Sequence, residues 1–290
     1  MNQLKTILLL GLLSAVLIGL GSFIGPQYMY MFGFLAVVMN FVAYFWSDKI
    51  VLKMSGAREV SPAEAPRLHN MVEELSAAAG IPKPRVYIIP EAQPNAFATG
   101  RNPKHGAVAA TEGIMHLLSE RELRGVMAHE IAHIRNRDIL IASVAAMIAT
   151  AISYIGNMLQ FAAIFGGASR DEEDGGSVAG GLAMAIVAPI AALLLQMGIS
   201  RSREYLADET GARISGDPMA LASALEKLNY AARRVPMQPE PATASLYIVN
   251  PFAGMGGALM NMFSTHPPME KRVARLRELA GLSGQFVAAI

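Results

Sequence analysis

Charge vanishes from this sequence in three long runs, and those runs set its expected architecture. No Asp, Glu, Lys or Arg occurs from Thr6 to Ser47, from Ile139 to Ser169, or from Gly175 to Ser200. A membrane-spanning helix needs about 20 predominantly apolar residues. The first run therefore holds two spans, near 6–24 and 29–46, parted at Gly25-Pro26-Gln27 where the chain can turn. A cleaved signal peptide is the competing reading of the first span, but a second apolar run follows at once, which favours a retained helical hairpin. The other two runs predict spans near 140–165 and 178–198, rich in Ala, Gly and Ile and without a polar face. A pair of buried helices in a soluble core would give the same composition, but globular helices average only about 10–14 residues.

Between and after these runs the pattern changes to amphipathic periods. Leu68, Met71, Val72 and Leu75 recur at helical spacing and predict a helix from Pro62 to Ala79, stopped by Gly80. Arg85 to Ile89 predicts a strand, and Asn95 to Thr99 and Ala107 to Ala110 two more, parted by the turn-rich Gly100 to Gly106. Ser119 to Arg137 predicts a helix, with Ser119 and Glu122 at capping-box spacing and Leu123, Val126, Met127, Ile131 and Ile134 on one side. Helices are also predicted at Ser202 to Ile214, Pro218 to Arg233 and Pro268 to Leu279. Val235 to Thr265, rich in Pro, Gly and Met, predicts an irregular lid or loop.

Composition sharpens this picture. Charged residues are 16% of the chain and the hydrophobic set 53%, against about 25% charged in ordinary soluble domains. A net charge of +1 gives no footprint for nucleic acid. The absence of cysteine excludes disulfides and thiolate ligands, so a transition metal here must use His, Asp or Glu. Lys and Arg flank the spans on one side only: Lys5, Lys49, Lys53, Arg58, Arg135, Arg137, Arg201 and Arg203, whereas the loop 170–174 is acidic after Arg170. The positive-inside rule then puts both termini and the segments 48–138 and 200–290 in the cytoplasm. The hairpins 1–47 and 139–199 would anchor one catalytic domain built from those two segments.

The chemistry is carried by His129-Glu130-Ile131-Ala132-His133. Residues i and i+4 share a helix face, so both imidazoles can reach one zinc ion at about 2.0–2.1 Å. Glu130, next along the helix, lies to the side and can take a proton from an attacking water. A catalytic zinc needs a third protein ligand and one open position. A histidine six residues past the second is excluded, because that position is Ile139. Glu204 on a later helix fits instead, and Asp208, on the same face, can accept a hydrogen bond from the outer nitrogen of a ligating histidine, with His129 the expected partner. An acidic helix face bonding Arg203 or Arg213 is the plain alternative. His69, His105 and His116 have no partner pattern and are expected in the core or at the surface.

These residues, together with Pro94 to Gly100, His129 to Asp138, Arg203 to Asp208 and Thr265-His266-Pro267-Pro268, resemble the HtpX family of membrane zinc metalloproteases, relatives of the Ste-type CAAX prenyl proteases. The resemblance covers nearly the whole chain. It implies an α+β, mainly helical, gluzincin-like domain with four transmembrane helices and one zinc ion, in the bacterial inner membrane. It also implies an endopeptidase that cleaves misfolded or damaged membrane proteins at the cytoplasmic side, in quality control and stress response. Asn95, Ala96, Phe97 and Ala98 would then hold the substrate as an added strand. His266 and Arg272 are candidates to stabilise an oxyanion, or else a helix start and a solvated cation. Two other functions fit the same residues: a processing peptidase for prenylated or short peptide tails, and a membrane scaffold whose zinc is structural.

Overall fold

Two apolar helices lead the chain, α1 (Asn2–Ile24) and α2 (Met29–Met54), joined by a single turn at Pro26–Tyr28. The computed structural model describes residues 2–145, 201–234 and 267–287. A polar contact ties the two helices: Asn40 Nδ2 donates to Ser14 Oγ at 2.8 Å. Among the described residues one helical stretch, Pro26–Met54, is long and apolar enough to cross a membrane, and Leu4–Gly19 is a shorter apolar helix. The expected third and fourth spans fall mostly outside the described residues, as do Val235 to Thr265 and His266.

α2 runs past the predicted end of its span because its last turns have a second task. Val51 and Leu52 are 4% exposed and pack on Tyr87, Ile89 and Phe97 of a four-stranded sheet. The strands are β1 (Arg58–Glu59), β2 (Arg85–Ile89), β3 (Ala96–Gly100) and β4 (Gly106–Thr111), in the order β1-β2-β4-β3. β2 and β4 are parallel; β1 and β3 join antiparallel at the two edges. Alternate residues leave by opposite faces. Val86, Ala98 and Val108 enter the main core, while Tyr87, Phe97 and Ala109 meet α2.

α3 (Pro66–Ala79) begins four residues later than its pattern predicts. Residues before it are held in a turn in which Glu64 accepts from Ser61 N and Oγ at 2.7 and 2.9 Å. Pro66, which needs no amide partner, then opens the helix. Two short elements had no visible period: β1, and α4 (Glu112–Leu117), capped by the Thr111 hydroxyl. α5 (Glu120–Arg135) starts on the expected Ser119–Glu122 capping box. The later helices are α6 (Arg201–Ser215), α7 (Pro218–Arg234) and α8 (Met269–Val287). Leu75, Val126, Met127, Ile131, Ala207 and Leu225 fill the core between them. The described domain is thus mainly helical with one small sheet.

The end of α5 departs from a simple reading of the sequence, which would run this helix straight into a third span. Instead α5 closes in a Schellman turn: Asp138 N donates to His133 O at 3.3 Å and Arg137 N to Ile134 O at 3.1 Å. Arg137 occupies the left-handed position at φ 58°, where glycine is usual. A fresh helical segment then covers 139–145. Its Ile141, Val144 and Ala145 pack with Leu9, Leu13 and Ala43 of the hairpin.

Candidate metal centre

α5 and α6 cross at very close range, and the crossing makes the site. A Cβ on Gly211 would stand 2.9 Å from the Cα and N of His129. Only a glycine lets α6 rest on the backbone of α5 there. Glu204, Asp208 and Gly211 lie at i, i+4 and i+7, one stripe of α6. The stripe therefore faces His129 along its length.

His129 Nε2 and His133 Nε2 stand 3.1 Å apart. Glu204 Oε2 is 3.8 Å from the first and Glu204 Oε1 3.5 Å from the second. Two donors that share a tetrahedral zinc at about 2.0–2.1 Å must stand about 3.3 Å apart, so this spacing fits a single ion. The outer nitrogens support that reading. His133 Nδ1 lies 3.1 Å from Asp138 Oδ2, and His129 Nδ1 2.9 Å from Asp208 Oδ1, the latter bent away from an ideal hydrogen-bond line. A carboxylate at each Nδ1 favours a proton there, which leaves the two Nε2 atoms facing each other as the donors a metal would use. One proton, or one shared cation in its place, can sit between them. Among the described residues the ligand group has three members, His129, His133 and Glu204, which leaves a fourth position for solvent or substrate.

The site is also built to attract a cation. Burial alone would lower the His133 imidazolium, but the charge and hydrogen bond of Asp138, with Glu204 and Glu130, outweigh it and push His133 up to about 10. Burial lowers His129. Burial likewise raises the Glu130 carboxyl to about 8, helped by the charge of Glu204 and opposed by His133. Glu130 is 4% exposed and accepts a hydrogen bond from the Ala98 amide on β3. Loading the site with zinc near neutral pH should therefore release protons. His133 holds one until pH rises to about 10 and must give it up to ligate, and Glu130 holds one until about 8. Zinc affinity is expected to climb roughly tenfold or more per pH unit between about pH 6 and 8. Calorimetry in buffers of different ionisation heat measures the released protons; an affinity indifferent to pH would contradict this assignment.

Two residues stand behind the ligands where the sequence reading did not put them. Asp138 was not singled out. On a straight helix a residue five positions past His133 points elsewhere, and only the left-handed Arg137 swings it back. The signal in retrospect is a carboxylate just beyond the motif helix. Arg272 was a candidate for the oxyanion or a solvated face. It is instead fully buried on α8, with Nε and Nη2 donating to the two Asp208 oxygens at 2.8 and 2.7 Å and Nη1 3.6 Å from Glu204 Oε2. Asn95 turns its backbone inward, its N–H donating to Thr111 Oγ1 and its carbonyl accepting from Thr111 N, both at 2.9 Å. By alternation Ala96 and Ala98 direct their amides and carbonyls to the outer edge of β3.

The peptidase family M48 model matches residues 62–280 of the chain. A "Protease HtpX homolog" of Thermodesulfovibrio yellowstonii is 54% identical over 281 residues, covering 97% of this chain and 99% of that one. Another, from Ralstonia pickettii, is 52% identical over 291 residues, 99% of each chain. The crystal structure of S. mikatae Ste24p shares the fold at a TM-score of 0.51 and 17% identity; the match covers 95% of this chain and spans 65% of that one. With a His-His-Glu group that fits zinc and relatives matched along nearly its whole length, the chain belongs to peptidase family M48, among the HtpX-type membrane zinc metalloproteases.

Proposed function

We propose that this chain is a multi-pass endopeptidase of the bacterial inner membrane that cuts unfolded or damaged membrane proteins where they emerge on the cytoplasmic side, in quality control and stress response. The observation that carries the reading is the convergence of His129, His133 and Glu204 within 4.8 Å of one another, beside a buried Glu130 that touches β3. One-sided Lys and Arg flanks support the cytoplasmic orientation, with four spans and the segments 48–138 and 200–290 joined in one domain.

His129, His133 and Glu204 would hold the ion. A bound zinc supplies Lewis acidity, polarising the scissile carbonyl and making water easier to deprotonate. The protein's own groups do the rest. The outward amide of Ala96 and the outward carbonyls of Ala96 and Ala98 pair an extended peptide, with Asn95 and Phe97 fixing the strand from behind. All five β3 residues are buried, so a peptide gains this edge only when what packs on it gives way. Glu130 takes a proton from water as its oxygen bonds to the carbonyl carbon. When the C–N bond breaks, Glu130 returns that proton to the leaving nitrogen. His266 would donate to the oxyanion. Arg272 is assigned to holding Asp208 and Glu204 in place, because its guanidinium is already committed to them.

Among the described residues the ligand group has three members, which favours this reading over a structural zinc, which takes four protein ligands. Purified, zinc-loaded protein should cleave an unfolded membrane protein, stop when a chelator strips the metal, and resume when zinc returns. Cleavage confined to short or prenylated tail peptides would instead show a processing enzyme.

A further inference from the structure

Beside the far end of β3, remote from the metal ligands by sequence and element, α2 and the sheet enclose a second cleft of about 460 Å³. One wall is aromatic and comes from the last apolar turns of α2. The rings of Phe41 and Phe45 lie 4.6 Å apart, and Trp46 meets Phe41 edge-on at 5.6 Å. These rings are also partly exposed: Phe41 53%, Phe45 38% and Trp46 43%. The opposite wall is basic. It carries Lys83 and Arg85 at the start of β2, and Arg101 and Lys104 in the β3–β4 turn, while Lys49 of α2 closes the rim.

The charge in this cleft exceeds what its neighbours neutralise. Asp48 pairs with Arg85 at 3.3 Å, and Glu73 with Lys83 at 2.7 Å. Lys49, Arg101 and Lys104 make no salt bridge among the described residues. The turn that presents two of them is tied by its own side chains. His105 Nδ1 donates to Asn102 Oδ1, and Arg101 Nη2 donates to His105 Nε2, both at 2.9 Å. The Arg101 guanidinium lies 5.5 Å from the Phe45 ring, joining the two walls. Gly100 is required at the entrance to the turn, at φ 133°, where a Cβ would strike the His105 carbonyl.

Aromatic residues gather at the level of lipid headgroups, and cations just beyond that level attract anionic lipids. Here both lie on one cleft, at the point where α2 leaves its apolar stretch for Asp48 and Lys49. We propose that this cleft binds an anionic phospholipid, with the phosphate-bearing headgroup against Lys49, Arg101 and Lys104 and the chain along Phe41 and Trp46. The occupant is a lipid and not a free anion, because the aromatic wall continues the membrane-facing surface of α2 and offers nothing to a soluble phosphate. The site needs α2 to cross the membrane, and in that it rests on the anchored-protease reading.

The test uses the full chain in vesicles of phosphatidylcholine alone or with phosphatidylglycerol, and counts lipid retained after detergent extraction by native mass spectrometry. Wild type should retain phosphatidylglycerol selectively. Lys49→Ala with Lys104→Ala, which breaks no side-chain bond, should lower that selectivity by about fivefold per cation, roughly thirtyfold in all. Arg101→Ala should lower it as well. Lys271→Ala with Arg277→Ala, the same charge change on α8, should leave it intact. Equal losses in both double variants, no headgroup preference in wild type, or displacement of the lipid by millimolar inorganic phosphate would each overturn the proposal. Failure of the protein to float with either vesicle would overturn the membrane anchor itself, a different result from anchored protein without lipid preference.

Discussion

Glu130→Gln is expected to leave zinc bound and to cut peptide hydrolysis by at least about a hundredfold, since positioned general bases contribute roughly 10²–10⁴-fold. Gln keeps the shape of a side chain that is 4% exposed, and its carbonyl can still accept from the Ala98 amide. It cannot take or return a proton. The variant also carries its own control. Burial holds the Glu130 carboxyl up to about 8 in the folded, metal-free protein, above its value in an unfolded chain. Its ionisation therefore opposes folding as pH rises through about 8, and a neutral Gln removes that penalty. The metal-free variant should resist unfolding at least as well as its parent at alkaline pH. Zinc content by elemental analysis, cleavage rate and an unfolding curve settle the matter together. A zinc-loaded variant at full activity would strike Glu130 from the mechanism.

Arg272→Leu is expected to do the most structural damage of any single change at the site. Its guanidinium is wholly buried and grips both oxygens of Asp208. Removing one partner of a buried pair strands the other, at a cost of about 3–5 kcal/mol, against a total stability of about 5–15 kcal/mol for a domain. The damage should also reach the metal. Asp208 is the carboxylate at His129 Nδ1, and loss of such supports lowers metal affinity by about 10–100-fold. Arg272→Leu combined with Asp208→Asn should regain part of the stability, because no stranded charge remains. Denaturant curves on the metal-free protein give the comparison. If the double variant is no more stable than the single one, the ion pair is not what ties α8 to the site.

Much of this was readable in the chain before its structure. The His129–His133 spacing and the capping box at Ser119 and Glu122 are local patterns with a fixed geometric meaning. Glu204 and Asp208 were readable because a zinc site without cysteine has few donors to choose from. What escaped the reading depends on chain reversal or on a neighbour. Asp138 reaches His133 only through a non-glycine residue at positive φ, which no period announces. Arg272 is one of several cations on an apparently mixed helix, and its burial comes from Asp208, 64 residues earlier. Gly211 shared its stripe with Glu204 and Asp208, but a glycine in a helix declares itself only when the second helix is in view. β1 and α4 are too short for a period, and α2 outran its apolar stretch because the sheet, and not the bilayer, receives its last turns.

That overrun has a consequence for how the enzyme can exist. One face of the sheet that carries β3 is closed by α2, since Tyr87, Ile89 and Phe97 lie under Val51 and Leu52. Cutting the anchor away would strip the cover from this face and leave an apolar surface prone to self-association. The end of α2 is thus part of the folded domain, on the face of the sheet opposite the one that α5 covers. A domain released by a cut within the last turns of α2 is therefore expected to aggregate rather than to work in solution.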